Sequence, residues 1–94
     1  MKNNSTGKAG KKVGFQFTAA PGNNVFVAGT FNNWDAGQHA LRDNPDSGHY
    51  KAVLILAPGE YQYKFVVDGE WQTDPAAEVQ VPNGVGSLNS VVRV

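Results

Sequence analysis

Two tryptophans stand among neighbours that could put them to chemical use. Trp34 ends the run Phe31-Asn32-Asn33-Trp34 and is followed by Asp35 and Gly37. Trp71 follows Asp68-Gly69-Glu70 and precedes Gln72-Thr73. A flat aromatic face ringed by amides, hydroxyls and charges matches a pyranose, which has an apolar C–H face and a rim of hydroxyls. Aromatics held in place also lose little conformational entropy when they bind.

The element that must position Trp71 can be worked out from its turn. Asp68-Gly69 between alternating apolar residues is a strong two-residue hairpin signal. With those two residues at its centre, Val67 faces Glu70, Val66 faces Trp71, Phe65 faces Gln72 and Lys64 faces Thr73. Directly opposed residues share a face of the sheet. Trp71, Val66, Lys64 and Thr73 therefore lie on one face, and Tyr61, Tyr63 and Phe65 on the other, which is the expected core face. The same register puts Gln72 on the core side. Lys64 becomes a diagonal neighbour of Trp71, an ammonium donor beside an aromatic platform.

The loop context of Trp34 has a related meaning, because rigid scaffolds concentrate binding residues on loops. The competing reading of either tryptophan is core packing, since an interior tryptophan is common in immunoglobulin-like sandwiches. Near the C-terminus, Val85-Gly86-Ser87-Leu88-Asn89-Ser90 puts Ser87 and Asn89 on one face, where they can donate and accept toward hydroxyls. The competing reading there is a solvated outer face.

Around these residues the period is two. Val13, Phe15 and Phe17 alternate with Gly14, Gln16 and Thr18. Val25-Phe26-Val27-Ala28 is a second strand, after a turn at Pro21-Gly22-Asn23-Asn24. A long loop over 31–48 holds a short strand at Ala40-Leu41-Arg42. The segment Tyr50 to Leu56 is apolar on both faces toward its end, as in a central strand. Pro58-Gly59 suits the central positions of a type II turn. Val79-Gln80-Val81 and residues 88–94 supply the last strands, on either side of Pro82-Asn83-Gly84. The pattern predicts no helix and seven or eight short strands, an all-β, immunoglobulin-like antiparallel β-sandwich.

The bulk numbers narrow the function classes. The chain has 94 residues, enough for one domain that buries about 60–65% of its unfolded surface. It has no cysteine, so disulfides, thiolate metal sites and thiol chemistry are excluded. Four of its eight basic residues, Lys2, Lys8, Lys11 and Lys12, lie in the first dozen positions. The remainder is acidic, which argues against nucleic acid as a partner. Residues 1–12 lack an apolar face and read as a disordered tail, leaving 13–94 as the folded domain. No stretch resembles a signal peptide or a membrane span, so a cytoplasmic protein without a membrane partner is expected.

Enzyme readings are weak. Glycoside hydrolysis needs two carboxylates at a set separation, and Asp68, Glu70 and Asp74 qualify only by proximity in sequence. Asp68 is explained as a turn residue and Asp74 as a loop residue before Pro75. His39 and His49 have no companions at metal-ligand spacing; His39 reads as solvated and His49 as a strand start. No metal and no cofactor is expected.

Several runs together carry a resemblance. They are Val25-Phe26-Val27-Ala28-Gly29-Thr30-Phe31-Asn32-Asn33-Trp34, then Gly59 through Trp71, then Asp74-Pro75, then Gly86-Ser87-Leu88-Asn89-Ser90-Val91-Val92. In this order they resemble the family-48 carbohydrate-binding modules. That family includes the glycogen-binding domain of the AMP-activated protein kinase beta subunit and the N-terminal modules of isoamylases and glycogen-branching enzymes.

The resemblance implies an early-set β-sandwich that binds α-1,4-linked glucan without catalysis. It puts the pocket tryptophans at Trp34 and Trp71, the pocket lysine at Lys64, and the binding loop at Val85, Ser87 and Asn89. The shorter Val85 stands where the family usually has leucine. The implied partners are glycogen, starch or maltodextrin, and a glycogen- or starch-metabolising enzyme or a kinase. The initiator methionine and the tail favour a stand-alone module over an excised one. The rival function is a protein-interaction sandwich with a decayed sugar site.

Overall fold

The alternation read from the sequence is realised as strands throughout. The computed structural model describes residues 10–43 and 47–94. Among them are eight antiparallel strands: β1 (Lys11–Thr18), β2 (Val25–Gly29), β3 (His39–Asp43), β4 (His49–Leu56), β5 (Glu60–Val67), β6 (Glu70–Gln72), β7 (Val79–Pro82) and β8 (Leu88–Arg93). β1 begins at Lys11, two residues before the expected start at Val13. Of the rest of the expected tail, Gly10 is described and residues 1–9 lie outside the described residues.

The strand order is β1-β4-β3-β2-β5-β8-β7, with β6 paired to β5. β1 and β5 are far apart in that order, yet their side chains meet. Phe15 packs edge-on against Tyr63 with ring centroids 5.0 Å apart, and Phe17 packs on Phe65 at 4.9 Å. The sheet therefore curls back over itself, and the fold is an all-β antiparallel sandwich. Its core holds Phe15, Val25, Val27, Leu41, Tyr50, Leu56, Tyr63, Phe65 and Val67. These are inward positions of β1 to β5, as a two-residue period requires. Burial of their apolar surface is the main stabilising term in a chain without disulfides.

β5 is the strand that organises the molecule. Tyr63 pairs with Gly29 of β2 on one side and with Ser90 of β8 on the other. β8 covers the first half of that second edge and β6 the remainder, Phe65 to Val67. The elements carrying Lys64, Trp71 and Asn89 are thus held to a single strand.

One expected turn differs. Gly59 has φ 155° rather than the value near +80° of a type II turn. Its backbone instead exchanges two hydrogen bonds with Val94, at 3.1 and 2.8 Å. A partner at the far end of the chain overrides the local turn preference.

Several buried hydroxyls and carboxylates are paired with partners distant in sequence. The Tyr50 hydroxyl donates to the Ala20 carbonyl at 2.6 Å and accepts from Asn23 N–H at 2.9 Å, tying the β1–β2 turn to β4. The Tyr63 hydroxyl donates to Asp74 Oδ2 at 2.6 Å. Asp74 N–H donates to Ser90 Oγ, and Ser90 Oγ donates to Gln80 Oε1. This chain of bonds fastens the segment after β6 to β5, β7 and β8.

Burial, then the hydrogen bond to Asp74, then that carboxylate's charge hold the Tyr63 phenol well above its ordinary value. The sign follows from linkage. The unfolded chain's phenol ionises first, so stability from the neutral Tyr63 is complete below about pH 10 and is lost as pH rises further. The urea midpoint should therefore fall more steeply above that pH in the native chain than in Tyr63→Phe. Equal alkaline slopes would show that the neutral Tyr63 phenol adds no such pH-dependent stability.

Candidate ligand-binding site

The β5–β6 hairpin forms in the expected register: Val67 opposite Glu70, Val66 opposite Trp71 and Phe65 opposite Gln72. Asp68 and Gly69 have φ 49° and 86°, the two left-handed residues of a type I′ turn. Asp68 Oδ1 also accepts from Asn24 N–H at 2.9 Å. Gln72, placed on the core side by this register, is exposed, since β6 is a three-residue edge strand. Trp71 is 44% exposed and outside the core.

Trp34 is held by a loop rather than a strand. β2 stops at Gly29, whose carbonyl accepts from both Asn32 N–H (3.1 Å) and Trp34 N–H (2.9 Å). A Cβ at Gly29 would collide with the Gln62 carbonyl and the Phe31 ring. The buried Asn32 side chain completes the loop. Its Oδ1 accepts from Gly29 N–H at 3.0 Å, and its Nδ2 donates to the Val27 carbonyl at 3.2 Å and meets His39 Nδ1 at 2.9 Å. The loop places Asn33 and Trp34 at φ 57° and 60°. A bulky residue there costs on the order of 1–3 kcal/mol and persists only where its surroundings enforce it.

His39 was expected to be solvated. It is half-buried and bonded to Asn32, because β3 begins at His39 and carries it against the loop. The sequence reading also missed Asn32, whose partners lie on two different strands.

Trp34, Trp71, Lys64 and Asn89 meet around one open cleft of about 400 Å³, joined by Asn83, which the sequence reading did not single out. The two indoles are 6.5 Å apart between ring centroids and inclined at 48°, a wedge rather than a stack. Lys64 is 9% exposed, and among the described residues its ammonium has no carboxylate partner. It donates to Ser87 Oγ at 2.8 Å. Asn89 Nδ2 donates to Gln62 Oε1 at 3.0 Å, and Asn89 Oδ1 has no hydrogen bond among the described residues.

Ser87 and Val85 stand differently from the other four. Ser87 reaches the cleft through Lys64, and neither Ser87 nor Val85 lines it. Val85 is 83% exposed in the β7–β8 loop. The carboxylates considered for hydrolysis are not grouped for it: Asp68 holds the turn and Asp74 is buried against Tyr63. No cluster of metal-ligating side chains occurs among the described residues.

A cleft with paired indoles and a few amide and ammonium groups on an antiparallel sandwich defines a recognition module. The chain belongs to the family described as the glycogen recognition site of AMP-activated protein kinase, whose model matches residues 12–94. It is similar to the 5'-AMP-activated protein kinase subunit beta-2 of Mus musculus, 40% identical over 73 residues that make up 78% of this chain and 26% of that one. The beta-1 subunit of Sus scrofa is 38% identical over 80 residues, 85% of this chain and 61% of that one. The beta-1 subunit of Bos taurus is 39% identical over 80 residues, 85% of this chain and 27% of that one. The chain thus spans about a quarter of the mouse and cattle relatives. It is a non-catalytic module.

Proposed function

We propose that this module binds α-1,4-linked glucan, such as glycogen, starch or maltodextrin, in the cleft between Trp34 and Trp71. The observation that carries the reading is the inclined indole pair with Lys64 and Asn89 in the same cleft. A helical α-glucan turns successive rings relative to one another. Two platforms at an angle suit consecutive glucose units better than the coplanar rings of a flat β-glucan. Lys64 and Asn89 hydrogen-bond the hydroxyl rim. Ser87 steadies the Lys64 ammonium, and Val85 offers an apolar edge to a longer chain. Matching a glycogen recognition family adds weight to this ligand class. The same reading places the module in the cytoplasm with its glucan, beside a glycogen- or starch-metabolising enzyme or a kinase.

The test is migration in native gels cast with and without glycogen. The module should be retarded by glycogen and unaffected by a soluble β-glucan. Retardation should change little between low and moderate salt, because stacking and mostly neutral hydrogen bonds release few counterions. A many-fold salt-dependent loss would point to a charged ligand. Unretarded migration with tight capture by a protein partner would point to an interaction module.

A further inference from the structure

Asn83 follows Pro82 at the end of β7 and is one of the residues lining the cleft, together with both tryptophans. Its Oδ1 accepts from Val85 N–H at 3.0 Å and from Ser87 N–H at 3.1 Å. Its backbone N–H donates to the Ser87 carbonyl at 3.0 Å. Gly84 and Gly86, at φ 84° and 87°, give the chain the tight path this requires. Both neighbours of the side-chain oxygen are N–H donors, so the amide has one consistent orientation. Oδ1 is spent on the loop. Nδ2 carries two protons and has no hydrogen bond to another described residue.

We propose that Asn83 is a ligand-binding residue whose Nδ2 donates to a hydroxyl or ring oxygen of the sugar seated between Trp34 and Trp71. This rests on the glucan reading above and adds a contact to it. A seated ring excludes water from the cleft, and a donor left without a partner would then be costly. The polar complement of the cleft is mixed. Lys64 and Asn83 offer protons, while Asn89 offers Oδ1 because Gln62 takes a proton of its amide. A hydroxyl both donates and accepts, so it satisfies this set. A ligand with acceptors alone would leave Asn89 Oδ1 unmatched. One side chain therefore fixes the loop with its oxygen and reads the ligand with its nitrogen.

The test uses the whole chain labelled with nitrogen-15 and titrated with maltoheptaose. The Asn83 side-chain NH₂ resonances should shift with the same saturation curve as the two indole N–H resonances. In Asn83→Ser the hydroxyl can still accept from the loop amides but no longer reaches into the cleft. Its affinity should fall about threefold to tenfold, the worth of one neutral hydrogen bond, while the Val85 and Ser87 backbone amides keep their positions. Side-chain resonances that stay still at saturation would overturn the proposal, as would unchanged affinity in the variant. An affinity loss accompanied by displaced Val85 and Ser87 amides would also overturn it, since the role would then be structural. If the indole resonances themselves do not move in the native chain, the glucan reading fails and this inference falls with it. Moving indoles with a silent Asn83 sink this inference alone.

Discussion

Trp71→Ala is expected to weaken glucan binding by about 2 kcal/mol or more, roughly 30-fold, the loss typical of a central aromatic anchor. The indole is 44% exposed and its nearest aromatic neighbour is Trp34, 6.5 Å away, rather than any ring of the core. The hairpin is specified by Asp68-Gly69 and by the pairing of Val66 and Val67 with β6, none of which needs the indole. Unfolding should stay cooperative, with a stability loss on the order of 1 kcal/mol or less. Isothermal titration and a urea melt on the same sample separate the two effects. A variant that unfolds before binding can be measured would make Trp71 a structural residue.

Asn32→Ala should act through the scaffold. The Asn32 side chain is buried and bonds Gly29 N–H, the Val27 carbonyl and His39. Truncation leaves the buried Gly29 N–H without its partner, which costs about 1–3 kcal/mol. It also removes the tie that keeps Trp34 at φ 60°. A lower urea midpoint and weaker glucan binding should appear together, whereas Trp71→Ala should give the second with little of the first. Asn32→Asp, which keeps an oxygen for Gly29 N–H, should recover part of the loss. Undiminished glucan affinity in Asn32→Ala would show that Trp34 holds its place without this loop.

What could be read from the sequence was what short-range geometry dictates. An Asp-Gly turn fixes a register, the register fixes faces, and the faces bring Trp71 near Lys64 while sending Tyr63 and Phe65 inward. Alternation likewise gave the strands, including the short β3 inside a long loop. What was hidden depends on contacts between distant positions. Asn32 appeared only as polar company for Trp34, because its partners are on β2 and β3. His39 appeared solvated for the same reason. Gly59 was assigned a local turn that its pairing with Val94 replaces. Asn83 looked like any asparagine after a proline, since its place beside the indoles exists only once β7 and β8 close against β5. Tyr63 and Asp74 carry no local sign of their 2.6 Å hydrogen bond. The resemblance to family-48 modules supplied the joint reading of Trp34, Lys64, Trp71 and Asn89, which local geometry reached only for Lys64 and Trp71.

The proposed function requires Trp34 and Trp71 to form a single glucan site. The most direct measurement follows both indole N–H resonances during one titration with maltoheptaose, with a β-linked glucan of similar length as control. Both resonances should move together along one saturation curve with the α-glucan and stay in place with the β-glucan. Two stationary resonances up to roughly 10 mM ligand, where any remaining affinity is under about 3 kcal/mol, would contradict it. So would two different saturation curves, which would make the indoles parts of separate surfaces.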